Sequence, residues 1–166
     1  MKHIISVLVE NKFGVLARVA GLFSGRSFNI SSLSVGETAD STVSRMTIVV
    51  DDRGKPEVME QVEKQLNKLV DVIKVQDFTG QPCIDRELLL VKVKTSNETR
   101  TAILSIAQIF RARVVDVAHQ SLVLEITGTE DKVKAILNLL QRFGIQELAR
   151  TGKIAIARSQ STPTGD

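Results

Sequence analysis

The residues best placed to do chemistry run Glu10-Asn11-Lys12-Phe13-Gly14-Val15-Leu16-Ala17-Arg18-Val19. They join an apolar run, His3–Val9, to a segment whose apolar positions Val15, Leu16, Val19, Ala20, Leu22 and Phe23 recur at spacings of three and four. The first pattern predicts a strand and the second a helix with one buried face. At the junction, Gly14 has no side chain, so a ligand can approach the main chain closely. The amides just after it lack helical partners and carry the positive end of the helix dipole. Such a place suits a carboxylate. Taken alone, the loop is better read as a turn that Gly14 merely permits.

A second segment shifts that balance. Phe28-Asn29-Ile30-Ser31-Ser32-Leu33-Ser34-Val35-Gly36 contains neither Pro nor Lys, the usual guards of an exposed sheet edge. If the strand 28–37 lies at an edge, it can pair with its copy in another chain, giving one continuous sheet and a two-fold dimer. Asn29 carries donors and an acceptor. Across that seam it would meet a ligand held by the Asn11–Leu16 loop of the other chain. The plainer role for Asn29 is a turn residue between helix and strand.

Other chemistry finds little support. His3 and His119 are isolated from any Cys or acid at a metal-ligand spacing. Cys83, the single cysteine, is read as a spare thiol in a linker and fits a reducing cytoplasm. Asp51-Asp52 and Glu130-Asp131 are explained by loop solvation and by a helix start. No phosphate-binding or dinucleotide-binding glycine motif occurs. The net charge is only +3, with no Trp or Tyr and six Phe, so neither a basic patch nor a stacking platform for nucleic acid is expected. No apolar run approaches the roughly 18 residues of a membrane span, and the apolar start of the chain, ending at Glu10 without a small-residue cleavage site, reads as a strand. The chain is expected to act in the cytoplasm, off the membrane.

The elements that must position the loop occur twice in one order. After the first strand and helix, Phe28–Glu37 and Thr42–Val50 read as a hairpin, Pro56 as the opening of a helix through Val62, Leu66 and Leu69, and Val70–Asp77 as a closing strand. Then come a strand at Glu87–Lys94, a helix at Asn97–Phe110 capped by Ser96 or Asn97, strands at Val114–His119 and Leu122–Thr127, a helix opened by Thr129, and strand material at Phe143–Ala149 and Ile154–Ala157. The order strand–helix–strand–strand–helix–strand, repeated, predicts an α+β chain of two ferredoxin-like βαββαβ domains in tandem. The expected boundaries are 1–78 for the first domain, 79–85 for a Gly/Pro-containing linker, 86–158 for the second domain and 159–166 for a disordered tail. Each domain is small enough for burial to be marginal, so association is expected on stability grounds.

The loop and the edge segment together resemble the ACT domain, a ferredoxin-like module that binds amino acids at a dimer interface. The blocks Gly21–Leu33, Ser44–Ile48, Gln65–Val72 and Arg86–Val93, with Ile109-Phe110-Arg111 and Val115-Asp116-Val117, make nearly the whole chain resemble the small regulatory subunits of acetolactate synthase. The resemblance implies a non-catalytic subunit of branched-chain amino-acid biosynthesis. Its large partner subunit would hold thiamine diphosphate, magnesium and FAD, and the small one would raise its activity and confer feedback inhibition by valine or a related amino acid. Carried over by position, Asn11, Phe13, Gly14, Val15 and Leu16 match the effector loop, and Asn29 and Ile30 match the contribution of the second chain. Two other classes share the topology. An ACT-type transcriptional regulator would need a basic DNA-binding stripe, and an acylphosphatase-like enzyme would need an arginine in the phosphate-cradling loop after the first strand, where this chain has Asn11-Lys12-Phe13-Gly14.

Overall fold

A computed structural model of the chain describes residues 2–25, 28–51 and 57–159. The elements are β1 (Lys2–Glu10), α1 (Val15–Ser24), β2 (Asn29–Glu37), β3 (Val43–Asp51), α2 (Glu57–Leu66), β4 (Val72–Asp77), β5 (Cys83–Lys94), α3 (Arg100–Ile109), β6 (Arg113–Val117), β7 (Ser121–Gly128), α4 (Glu130–Gln141), β8 (Ile145–Arg150) and β9 (Ile154–Ala157). They form two compact units, one of residues up to 84 together with those from 153 onward, the other of residues 85–152. Each unit has the expected βαββαβ order and an antiparallel sheet, β2-β3-β1-β4 in the first and β6-β7-β5-β8 in the second. Both are ferredoxin-like, and β2 is the edge strand the sequence suggests.

Alternation on the strands decides what each sheet buries. In the first unit Ile5 and Val7 stand opposite Ile48 and Met46, which in turn stand opposite Leu33 and Val35. This inward row meets Val15, Val19 and Phe23 of α1, spaced four apart, and Met59, Val62 and Leu66 of α2. Phe23 is wholly buried and meets Phe28 edge-on, with ring centroids 6.4 Å apart. In the second unit Leu89, Val91 and Val93 play the same part, covered by Ile103 and Ile106 of α3 and by Val133, Ile136 and Leu140 of α4. Thr129 caps α4 by accepting from the amide of Lys132. Glu87, at the rim of this core, is buried and held by a two-pronged ion pair to Arg150, Nη2 to Oε1 at 2.5 Å and Nε to Oε2 at 3.3 Å.

Several element boundaries differ from expectation. The segment 79–85 is not wholly linker, because β5 begins at Cys83. By contact, residues 153–158 cluster with the first unit, the amide of Lys153 donating to Ser32 Oγ and that of Arg158 to the carbonyl of Pro82. The helix expected from Asn97 starts at Arg100, since Ser96 and Thr99 bond each other reciprocally and hold a turn ahead of it. Val70, expected in the closing strand, is instead a fully exposed turn residue ahead of β4. The loop at 52–56, Pro56 included, and the tail beyond Ser159 lie outside the described residues.

The end of α3 yields a stability prediction. The amide of Ala112 donates to the carbonyl of Ala107 and that of Arg111 to Gln108, a Schellman closure in which Arg111 takes the left-handed position at φ 52°. That conformation costs a non-glycine residue about 1–2 kcal/mol, of which glycine's extra unfolded-chain entropy takes back about 0.5–1 kcal/mol. Arg111→Gly should therefore raise stability by about 0.5–1 kcal/mol, read as a higher urea midpoint with an unchanged slope.

Candidate functional site

β1 delivers the loop because it is the strand held on both sides, by β3 and β4. At its end the amide of Asn11 donates to the carbonyl of Thr42, 2.7 Å, and that of Glu10 to the carbonyl of Asp71, 2.9 Å. Lys12 folds back on Glu10 with an Nζ–Oε2 distance of 2.5 Å, and this hydrogen bond and charge hold its ammonium pKa above the usual lysine value. The chain then turns at Gly14, whose φ of 79° and ψ of −5° are left-handed, and enters α1. A Cβ at Gly14 would stand 3.3 Å from Nη1 of Arg18. Arg18 is itself anchored on Asp71, through Nε at 2.9 Å and Nη2 at 2.7 Å to Oδ2.

The helix start is left open. No side chain caps α1, and its first turn holds no acidic residue. The amide of Val15 reaches Lys12 O at 3.4 Å, and that of Arg18 reaches Gly14 O. Those of Leu16 and Ala17 have no partner among the described residues. The structure therefore offers two main-chain donors at the positive end of a helix, beside a residue with no side chain.

The side chains predicted for the site divide into three groups. Asn11 is exposed, and both hydrogens of its amide are engaged, by Glu37 Oε1 at 3.0 Å and Ser41 O at 2.9 Å. Phe13 is fully exposed and Leu16 nearly half so, whereas Val15 is 3% exposed and belongs to the core. Val15 anchors the loop with its side chain and can face a ligand only through its backbone. Asn29 and Ile30 start β2, and Asn29 stands opposite Asp51 while Glu37, beside Asn11, stands opposite Ser44. Eight register positions separate Asn29 from Glu37, roughly 27 Å at about 3.4 Å per residue. Within one chain the loop and Asn29 therefore lie at opposite ends of the sheet.

Sequence reasoning missed the residues that brace the loop: Glu37, Ser41, Thr42 and Asp71. They sit 26 to 60 positions away in the chain and become neighbours only through strand pairing, so no local spacing marks them. The turn from β2 to β3 is rigid in its own right. Asp40 Oδ1 accepts from the amide of Thr42 at 2.9 Å and from its hydroxyl at 2.6 Å, and these bonds hold the Asp40 carboxyl below the usual aspartate range. Among the described residues, no group of three His, Cys, Asp or Glu side chains could hold a metal ion, and no helix is long and apolar enough to cross a membrane.

A ferredoxin-like unit with the strand order β2-β3-β1-β4 has the fold of an ACT domain. Residues 5–74 match the family described as the AHAS small subunit-like ACT domain, and residues 86–159 that described as the small subunit of acetolactate synthase. A probable acetolactate synthase small subunit of Archaeoglobus fulgidus is 56% identical over 158 residues, covering 95% of this chain and 98% of that one. The acetolactate synthase small subunit of Bacillus subtilis is 49% identical, with 95% and 91% covered. The crystal structure of the acetolactate synthase small subunit from Thermotoga maritima superposes with a TM-score of 0.87 at 40% identity, over 97% of this chain and 99% of that one. The chain belongs to the family of acetolactate synthase small subunits.

The β2–β3 turn sets a pH expectation. A carboxyl whose folded pKa is depressed adds stability that is present above its unfolded pKa and lost as pH falls through the folded one. In a carbon-detected NMR titration Asp40 should titrate below an ordinary aspartate, and Thr42→Val, which removes the hydroxyl donor, should move that midpoint upward. A midpoint unmoved by the substitution would show that the hydroxyl bond does not set it.

Proposed function

We propose that the chain is the non-catalytic regulatory subunit of an acetolactate synthase, working in the cytoplasm. In this reading it raises the activity of a larger catalytic subunit, which carries thiamine diphosphate, magnesium and FAD, and makes that activity sensitive to valine or another branched-chain amino acid. The observation that carries the reading is the pair of open amides, Leu16 and Ala17, beside the left-handed Gly14. They fit the carboxylate of a free amino acid. With both amide hydrogens of Asn11 engaged, its Oδ1 is left to accept from the ammonium group. Leu16 and Phe13, exposed in the single chain, supply apolar surface for a branched side chain.

The distance to Asn29 argues for two chains. An antiparallel copy of β2 paired about Leu33 sets Asn29 and Ile30 of the second chain opposite Glu37 and Gly36 of the first, beside the residue that Asn11 grips. Two equivalent effector sites would then lie on the seam of a homodimer. An effector held there alters the catalytic subunit by favouring one arrangement of the assembly, with couplings of roughly 1–3 kcal/mol in such systems.

Two variants test the site. Gly14→Asp keeps a residue type that tolerates the left-handed region but sets a carboxylate where the ligand's own should lie. It should weaken calorimetric valine binding about tenfold or more, about 1.4 kcal/mol, while activation of the catalytic subunit persists; unchanged binding rejects the assignment. Asn29→Ala should also bind poorly. Mixing the two in equal amounts should restore about one site in four, because half of the dimers are mixed and each of these rebuilds one of its two sites. Mixtures as inert as their components would reject a shared site.

A further inference from the structure

We infer that Arg18 is a specificity-determining residue of the effector site: its Nη1 donates to the carboxylate of the ligand beside Gly14, and Asp71 positions the guanidinium for that contact. The inference rests on the effector site proposed above and deepens it, adding a cation that selects a free acid.

Residues four apart on a helix share a face, and side chains there lean toward the helix start. Arg18 therefore lies one turn below Gly14, and its amide donates to the Gly14 carbonyl at 2.9 Å. Its side chain divides its donors. Nε and Nη2 both reach Oδ2 of Asp71, at 2.9 Å and 2.7 Å, so Asp71 takes one edge of the planar group. Nη1 lies on the other edge and makes no hydrogen bond among the described residues. A guanidinium holds its N–H groups in a fixed fork, so pinning one edge fixes where the other points.

The free edge faces the site. Nη1 stands 3.3 Å from the place a Cβ on Gly14 would take, the space assigned above to the ligand's carboxylate. An oxygen settling there comes within reach of Nη1. Nothing on the loop competes for it: the first turn of α1 holds no acidic residue, and Glu10 is paired with Lys12. The Asp71 side chain is 17% exposed and that of Arg18 51%, so the anchor is sheltered while the cation stays accessible. A side chain at position 14 would crowd Nη1, and glycine leaves it open. An ion pair serving only to tie α1 to the start of β4 would not need that open edge.

The two kinds of donor differ in what they select. Main-chain amides accept the oxygen of a carboxylate or of a carboxamide, whereas a guanidinium adds a full charge that only the carboxylate answers. Preference for an acid over its amide should then reside in Arg18.

Valine and valinamide, which differ only at the carboxyl group, test this by calorimetry on the full-length protein. The unaltered chain should bind valinamide about tenfold or more weakly than valine. Arg18→Gln should weaken valine about tenfold and valinamide by less than about twofold, so that the preference nearly vanishes. Asp71→Asn, which keeps Arg18 but releases it, should weaken valine less than Arg18→Gln does and leave valine preferred. In the unaltered protein the guanidinium NMR resonances of Arg18 should move on saturation with valine, a readout that needs no variant to fold. A chain that binds no valine overturns the effector site and this inference together. If valine binds, the role of Arg18 alone is overturned by equal affinity for the two ligands, by unmoved Arg18 resonances, or by an Arg18→Gln variant that is unchanged or loses both ligands equally.

Discussion

The register of β1 governs the rest of the first unit. β1 pairs with β3 from Lys2↔Asp51 to Glu10↔Val43, and on its other side with β4. Alternation then sends Ile5, Val7 and Val9 to the helices. A slip of one residue would turn all three outward. The same register sets Asn11 beside Thr42 and Glu10 beside Asp71, so the loop's position follows from core burial and not from the loop itself. The irregularity between Leu8 and Val9 in the pairing with β4 falls just where the strand must end and the carbonyl of Asp71 is received. A bulge at such a place re-aims the chain without disturbing the buried row.

Much of this was legible in the sequence, for identifiable reasons. The helix from Val15 and the strand before it follow from apolar spacings that only one geometry satisfies. The repeated element order gives the fold class because a βαββαβ chain has few ways to bury one sheet face under two helices. What escaped was non-local or cooperative. Asn97 looked like a helix residue because spacing cannot reveal that Ser96 and Thr99 close a turn first. Val15 was expected to line a ligand pocket, yet the stripe that marks it as helical also takes it into the core.

The two units share a topology and differ in what their edges expose. β2 is polar and flexible in composition, with four serines or glycines among nine residues, and the first unit places its loop at one end of that strand and Asn29 at the other. β6 is short and apolar with one charge of each sign. In the proposed dimer, a long edge that brings distant side chains together across an axis is suited to building a site. α4 begins with a hydroxyl group already bonding a main-chain amide of its first turn, whereas no side chain caps α3.

The start of α1 contrasts with that of α4, and the contrast bears on where a ligand could be held. A capping Ser, Thr, Asp or Asn at position 14 would satisfy one of the open amides and typically add about 1 kcal/mol. The chain instead carries Gly14 in a left-handed turn, with Arg18 anchored on Asp71. Several polar groups of the loop are engaged: Lys12 on Glu10, the Asn11 amide on Glu37 and Ser41, the Asn11 main chain on Thr42. A loop braced at these points, with the Leu16 and Ala17 amides open, holds its donors in place, so in the proposed role binding need not first order the backbone. Under the proposed function, an effector that arrives there would meet fixed dipoles, and its binding energy would be available to bias the proposed seam between chains.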